Sequence, residues 1–340
     1  MTTRRFVAAA VALAAFVALP PHGPSAQAAE KVTLRQKLPK GLRTRMIVTM
    51  NTTTETQMPG AARGVAMKGK VGQTLELLCH VVDVSPEGET TLEIKHDRLK
   101  QSMNMGGIRV SFDTKRKPSD KADPMAKMFL DAVKPLLGLT LTVKMDRAFQ
   151  VKEVQGLEAF QEKLDQGGVS GLVGTQLGRL FSDGQLKNTM SQYITKHLPS
   201  KPVAVGDSWT SVDKVNVPML GEMQLEMKSR LVAVEKHKGK RCAKVWIDSR
   251  MQRTSTKPSR GTGPVKQISV RKCDTKGVYW FDIKGGQMIE AEMDNDMRLA
   301  MVVDARGVSG RKRSGRMSID QRFKVKMHVV VKPEPLRPSK

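Results

Sequence analysis

Aromatic residues are scarce in this 340-residue chain: 4% in all, with two Tyr and three Trp. So few hardly supply the aromatic girdles of an outer-membrane barrel or the stacking platforms that hold single-stranded nucleic acid, so no nucleic-acid partner is expected. Cysteine is limited to three residues, which excludes a disulfide-dense scaffold. Acidic side chains are in deficit, 33 Asp+Glu against 58 Lys+Arg, for a net charge of +25. Only one long apolar run occurs, so a polytopic helical membrane protein is excluded. Motifs that carry chemistry are missing as well. There is no P-loop, no H-E-x-x-H and no C-x-x-C, and the six His are dispersed. Ser170 follows Gly168 but has Leu172 where a nucleophile elbow needs its last Gly. The expectation is a protein without enzymatic activity, metal or cofactor.

The single apolar run lies at the amino end. Arg4 and Arg5 precede Phe6–Leu19, and Ala26-Gln27-Ala28 follows. A basic start, an apolar stretch too short to span a bilayer and an A-x-A site make residues 1–28 a secretory signal peptide. The expected mature protein is exported to the periplasm or cell envelope and soluble, without a transmembrane segment.

What is abundant is alternation. Met317, Ile319, Phe323, Val325, Met327, Val329 and Val331 share one parity, and Ser318, Asp320, Arg322, Lys324, Lys326 and His328 the other. A period of two places one set on each face of a pleated strand. The rhythm recurs from Ile289 to Val303 and from Met219 to Ala233. Earlier strands are predicted at 43–57, 63–84, 89–103, 107–113 and 139–154, with turns at Pro86-Glu87-Gly88 and Asp146-Arg147. Helices are few. Asp123-Pro124 opens an amphipathic stretch to Lys134, and 156–199 reads as a helical insert ended by Pro199 and Pro202.

The predicted fold is therefore α+β, mostly antiparallel β. Two related long-stranded curved sheets or half-barrels, 29–155 and 200–331, flank the helical insert, and a polar tail covers 332–340. The relation is a weak internal repeat: the hairpin of 141–154 resembles that of 278–291, and 81–97 resembles 231–248. Between the predicted strands carrying Val245 and Val270, a hairpin centred at Lys257/Pro258 sets Ile247 opposite Ile268 and Cys242 opposite Cys273. That register predicts a Cys242–Cys273 disulfide, at the cost of facing Lys244 with Arg271.

One-sided apolar strands must cover that side, since each buried Val, Leu or Met contributes roughly 1.5–3 kcal/mol. The expected cover is the helical insert, with Leu172, Leu177 and Phe181 facing Met219, Met223, Leu225, Met227, Met293 and Met297 across a concave sheet. Methionine at strand parity is flexible apolar filler, suited to an apolar or amphipathic ligand such as a lipid or acyl chain. Arg306, Arg311, Lys312, Arg313 and Arg316 form a basic cluster that would contact an anionic envelope component. The competing expectations are a structural or adaptor protein with a filled concave face, binding another envelope protein or an anionic polymer, and an unrecognised hydrolase.

Pro202-Val203-Ala204-Val205-Gly206-Asp207-Ser208-Trp209, after Leu198-Pro199, resembles a recurring element of an uncharacterised family of exported bacterial proteins and lipoproteins. Leu38-Pro39-Lys40-Gly41 and the hairpin 141–153 are similar too. The resemblance implies an envelope location and supplies no activity or catalytic residue, and this chain lacks the lipobox Cys of the lipoprotein members. In architecture it resembles, more loosely, periplasmic lipoprotein carriers, in which a curved antiparallel sheet holds acyl chains under helices.

Overall fold

The computed structural model describes residues 30–58, 65–116, 124–134, 137–159, 162, 198–217, 220–254, 259–260, 265–304 and 316–334. The signal-like segment 1–28 lies outside them. The described chain is mostly antiparallel β. Its strands are β1 (Arg43–Met58), β2 (Val65–Val84), β3 (Thr90–Met105), β4 (Ile108–Asp113), β5 (Thr140–Met145), β6 (Val151–Gln155) and β7 (Ser208–Val217), then β8 (Gly221–His237), β9 (Lys240–Arg253), β10 (Ser259–Arg260), β11 (Val265–Asp282), β12 (Gln287–Asp304) and β13 (Arg316–Pro333). Helix α1 (Pro124–Val133) occupies the predicted place and packs against β4. Ala126 and Leu130, one turn apart, are buried there, as are Val110 and Phe112 of β4.

The two predicted sheets are one. Thirteen strands form a single sheet in the order β6-β5-β3-β2-β1-β13-β12-β11-β9-β8-β7, with β4 paired to β3 and β10 to β11. The join is β1 against β13, an uninterrupted antiparallel ladder from Thr44↔Pro333 to Gln57↔Asp320. Both strands present apolar residues to one face in matching phase, Val48 beside Val329 and Met50 beside Met327, so pairing buries more than either strand would alone. The antiparallel run β1-β2-β3-β5-β6 recurs as β7-β8-β9-β11-β12, and β13 then inserts between β12 and β1. The strands are long: β11, β12 and β13 each run 18 residues. Of the predicted helical insert 156–199, a helical turn at 157–159 follows β6, and nearly all the rest lies outside the described residues.

The predicted disulfide is corrected. Strands β9 and β11 do pair antiparallel, but Ile247 faces Gly277 and Cys242 faces Asp282, while Cys273 faces Met297 of β12. Cys242 and Cys273 are free thiols, as is Cys79. Measured along β11, Cys273 stands nine residues from the Cys242 partner, roughly 30 Å at the rise of a strand. An odd slip also turns the two thiols to opposite faces. The predicted tight hairpin fails because the connection is longer, with β10 folding back on β11 at Ser259↔Ile268.

Two irregular segments cross the apolar face near one end. Val32 and Val203 exchange backbone hydrogen bonds of 2.8 and 2.9 Å. Lys37 N–H donates to Gly286 C=O at 2.8 Å. Gly286 has φ 68°, and a Cβ there would stand 2.7 Å from the Arg35 carbonyl oxygen, so the crossing requires glycine. The Pro202–Trp209 element makes the second crossing. Gly206, at φ 98°, turns the chain. The Asp207 carboxylate accepts the Ala204 N–H at 2.8 Å, and Leu231 N–H donates to Asp207 C=O at 3.0 Å. Val32, Leu34 and Val203 thereby pack on Leu231, Val245, Tyr279, Phe281 and Ala291 as the main core. A second core gathers Val81, Leu92, Ile94, Val143, Met145 and Val154.

Candidate functional site: the apolar face of the sheet

Register fixes which side chains share a face, because cross-strand partners point the same way. One transverse row reads Leu231, Val245, Tyr279, Ala291, Val329, Val48, Leu75 and Leu99, apolar over eight strands from β8 to β3. The next reads Ser229, Ile247, Gly277, Met293, Met327, Met50, Gln73 and Gln101. A third reads Met227, Ser249, Thr275, Asn295, Val325, Thr52, Val71 and Met103. Within it Asn295 donates to the Thr275 hydroxyl at 2.8 Å. Leu225, Met251, Met297 and Phe323 continue the face.

Cover is uneven along these rows. Leu231, Val245 and Ala291 are 0% exposed beneath the crossing segments. Val48, Leu75 and Leu99 in the same row are only partly buried, as are Met50, Met293 and Met327 in the next. Among the described residues, then, the first half of the sheet and its centre keep solvent-accessible apolar surface. Of the residues expected to line a site, Met223, Leu225, Met227, Met293 and Met297 all lie on this face, with Met223 fully buried. Met219, Leu172, Leu177 and Phe181 lie outside the described residues. So do Arg306, Arg311, Lys312 and Arg313, whereas Arg316 is the first residue of β13.

Sequence reasoning missed Arg253. It stands opposite Met223 on the apolar face at the end of β9, and its buried Nε has no acceptor among the described residues. Apart from Asp213 on β7, which shares its row with Leu225 and Met251, it is a lone charge in these apolar rows. The signal was present: Arg253 has the parity of Ala243, Val245, Ile247 and Met251.

The opposite face is ionic. Arg45 donates to Glu334 at 2.9 Å through two nitrogens, to Glu76 at 2.9 Å, and to Asp97. Arg98 bridges Glu76 and Asp113, and its guanidinium beside Asp113, outweighing burial, holds that carboxyl down at about 2. Glu290 is only 8% exposed. Burial alone would raise its pKa, but hydrogen bonds from Lys238, His328 and His237 reverse the effect and bring it to about 2. His237 in turn stacks on Trp280 at 4.4 Å, and the Trp280 indole donates to Glu235 at 2.8 Å. Asp296 is held low by Arg322 first and Lys272 second. The carboxyls in these clusters are thus fixed as anions. On the apolar side, burial pushes the Cys79 thiol up to about 11, leaving it protonated and unreactive. No group of three or more His, Cys, Asp or Glu among the described residues is arranged to hold a metal ion, and no described helix is long and apolar enough to cross a membrane.

A single long-stranded antiparallel sheet, greasy on one side and ion-paired on the other, defines the class of this molecule. The chain belongs to the family of unknown function DUF6263, which residues 87–259 match, just over half of the 340. That stretch contains the Pro202–Trp209 element. A comparison with curated proteins finds no match. Among solved structures, the chain is similar to one described as lipid–protein interactions in lipovitellin, at 9% identity and TM-score 0.42. That likeness covers 89% of this chain and 27% of the other, so the chain spans about a quarter of the lipovitellin chain. It is also similar to the outer membrane protein OprG from Pseudomonas aeruginosa, at 5% identity and TM-score 0.24, over 89% of this chain and 100% of that one.

Proposed function

We propose that this is a non-catalytic protein of the cell envelope that binds an apolar or amphipathic ligand, a lipid or acyl chain, on the apolar face of the sheet. The observation that carries the reading is the unbroken apolar row from Leu231 to Leu99, which passes from fully covered at Leu231 to partly open at Val48, Leu75 and Leu99 without a change of chemistry, beside the partly open methionines of the next row. Partly open Met293, Met327 and Met50 give a surface that adapts to irregular alkyl shapes. Arg253 supplies a cation for an anionic head group beside that surface. Basic residues at 306–316 would add a second contact to an anionic envelope component. Export rests on the signal-like segment 1–28.

The test is native mass spectrometry of protein purified from its own envelope, followed by titration with a fluorescent fatty acid. Co-purifying lipid and saturable fatty-acid binding are expected. Met50→Asp should abolish binding, and Arg253→Gln should weaken a fatty acid about tenfold while sparing the corresponding alcohol. A protein that carries no lipid and binds neither probe would overturn the reading and favour an adaptor with a filled face.

A further inference from the structure

A second surface lies on the polar face, opposite the proposed lipid site and independent of it. Two neighbouring transverse rows bound an open depression of about 420 Å³. One row runs Lys326, Asn51, Gly72, Ser102 and Ser111 across β13, β1, β2, β3 and β4. The other runs Lys324, Thr53, Lys70, Asn104 and Arg109 across the same strands. Gly72 makes the gap: a Cβ there would stand 2.8 Å from the Ser102 hydroxyl.

Much of the polar face is tied up in ion pairs, and these two rows are not. Neither contains a carboxylate, and Lys70, Arg109, Lys324 and Lys326 form no ion pair with a described residue. On β12 the next residues are Asp294 opposite Lys326 and Asp296 opposite Lys324, and Asp296 is already held by Lys272 and Arg322. Carboxylates thus bound one end of the groove.

The order within the second row is informative. Cations on β13, β2 and β4 alternate with neutral hydrogen-bonding side chains on β1 and β3. At the spacing of adjacent strands the cations recur about every 10 Å. A uniformly charged polymer has no use for the neutral positions. A chain that bears acidic groups on alternate units and hydroxyls between them uses both. We propose that this groove binds an anionic oligosaccharide, its acidic groups on Lys324, Lys70 and Arg109 and its hydroxyls on Thr53, Asn104 and Ser102. The ligand lies across the strands.

Fluorescence anisotropy of the full chain with a labelled hyaluronan hexasaccharide, which bears a carboxylate on every second sugar and hydroxyls between, tests this. Saturable binding is expected, at least about tenfold weaker in the Lys70→Glu/Arg109→Glu double variant. Lys214→Glu, an exposed position on β7, should leave binding unchanged. Asn104→Ala should weaken the hexasaccharide several-fold but leave inorganic polyphosphate of matched charge unaffected. Lys70, Asn104 and Arg109 are all exposed, so circular dichroism should show each variant folded. Absence of hexasaccharide binding would overturn the proposal, as would equal losses in the double variant and Lys214→Glu. Polyphosphate that binds as tightly as the hexasaccharide would overturn it too, since charge alone would then suffice. Fatty-acid binding should be untouched by these variants, which separates failure here from failure of the lipid reading.

Discussion

Protonating or neutralising Glu290 should remove a measurable part of the stability. Its carboxylate accepts hydrogen bonds from His237 Nε2 at 2.5 Å, His328 Nε2 at 2.6 Å and Lys238 Nζ at 2.8 Å. These donors come from the end of β8, the following turn and β13, so one carboxylate on β12 ties three places together. A carboxyl held at about 2 in place of its ordinary 4.5 corresponds to at most ~3.4 kcal/mol. The side chains of His328 and Lys238 are each 46% exposed, and solvent screening brings the expected contribution to about 1–2 kcal/mol. The folded pKa is the lower one, so the stabilisation is complete above 4.5 and fades as the pH falls toward 2. Urea unfolding of the wild type and of Glu290→Gln across pH 7 to 2.5 measures it. The gap between the two should be about 1–2 kcal/mol at pH 7 and close to zero at the acid end. A gap that stays constant with pH would show that Gln perturbs packing and that the ion pairs contribute nothing.

Stability should also separate the covered from the open part of the apolar face. Leu231→Ala, at 0% exposure, should cost about 2–5 kcal/mol in urea denaturation. Met50→Asp should cost less than about 1.5 kcal/mol, and a larger loss would mean that the centre of the face is filled. Gly277→Ala should destabilise by several kcal/mol, because its Cβ would stand 2.2 Å from the Glu292 carbonyl oxygen. A melting temperature within two or three degrees of wild type would refute that contact. Thiol titration in denaturant without reductant should count three free cysteines, and a count of one would reinstate the disulfide.

Much of the fold was legible because alternation is a local signal. The parities read from Ala291 to Val303 and over 317–331 are the parities that face the apolar side, and Val48 and Leu75 continue them, whereas Ile289 sits at a bulge and packs with Cys242 and Trp280 on the other face. Turns were legible for the same reason: Gly88 adopts positive φ where the predicted Pro86-Glu87-Gly88 turn falls. Register and long-range pairing were not. Strands of equal rhythm satisfy the same pattern at any even slip, and nothing local to Arg43–Met58 names Arg316–Pro333 as its partner. The misplaced disulfide shows the cost. Its register brought Lys244 against Arg271, a visible defect, whereas in the fold Lys244 faces Trp280 with its ammonium 5.2 Å from the ring centre. Half of the apolar site was readable as methionines in phase. Arg253 was overlooked because a single cation at apolar parity stands out only once the neighbouring rows are aligned.

The ladder between β1 and β13 sets a condition on assembly. Two strands at the middle of the sheet come from opposite ends of the described sequence, so neither finds its partner until nearly everything between them has been made. Loop closure of that span is slow, and meanwhile β1 presents a long unsatisfied edge with an oily underside, the profile of a template for self-association. A nascent molecule of this kind is safest in the grip of a chaperone until β13 arrives.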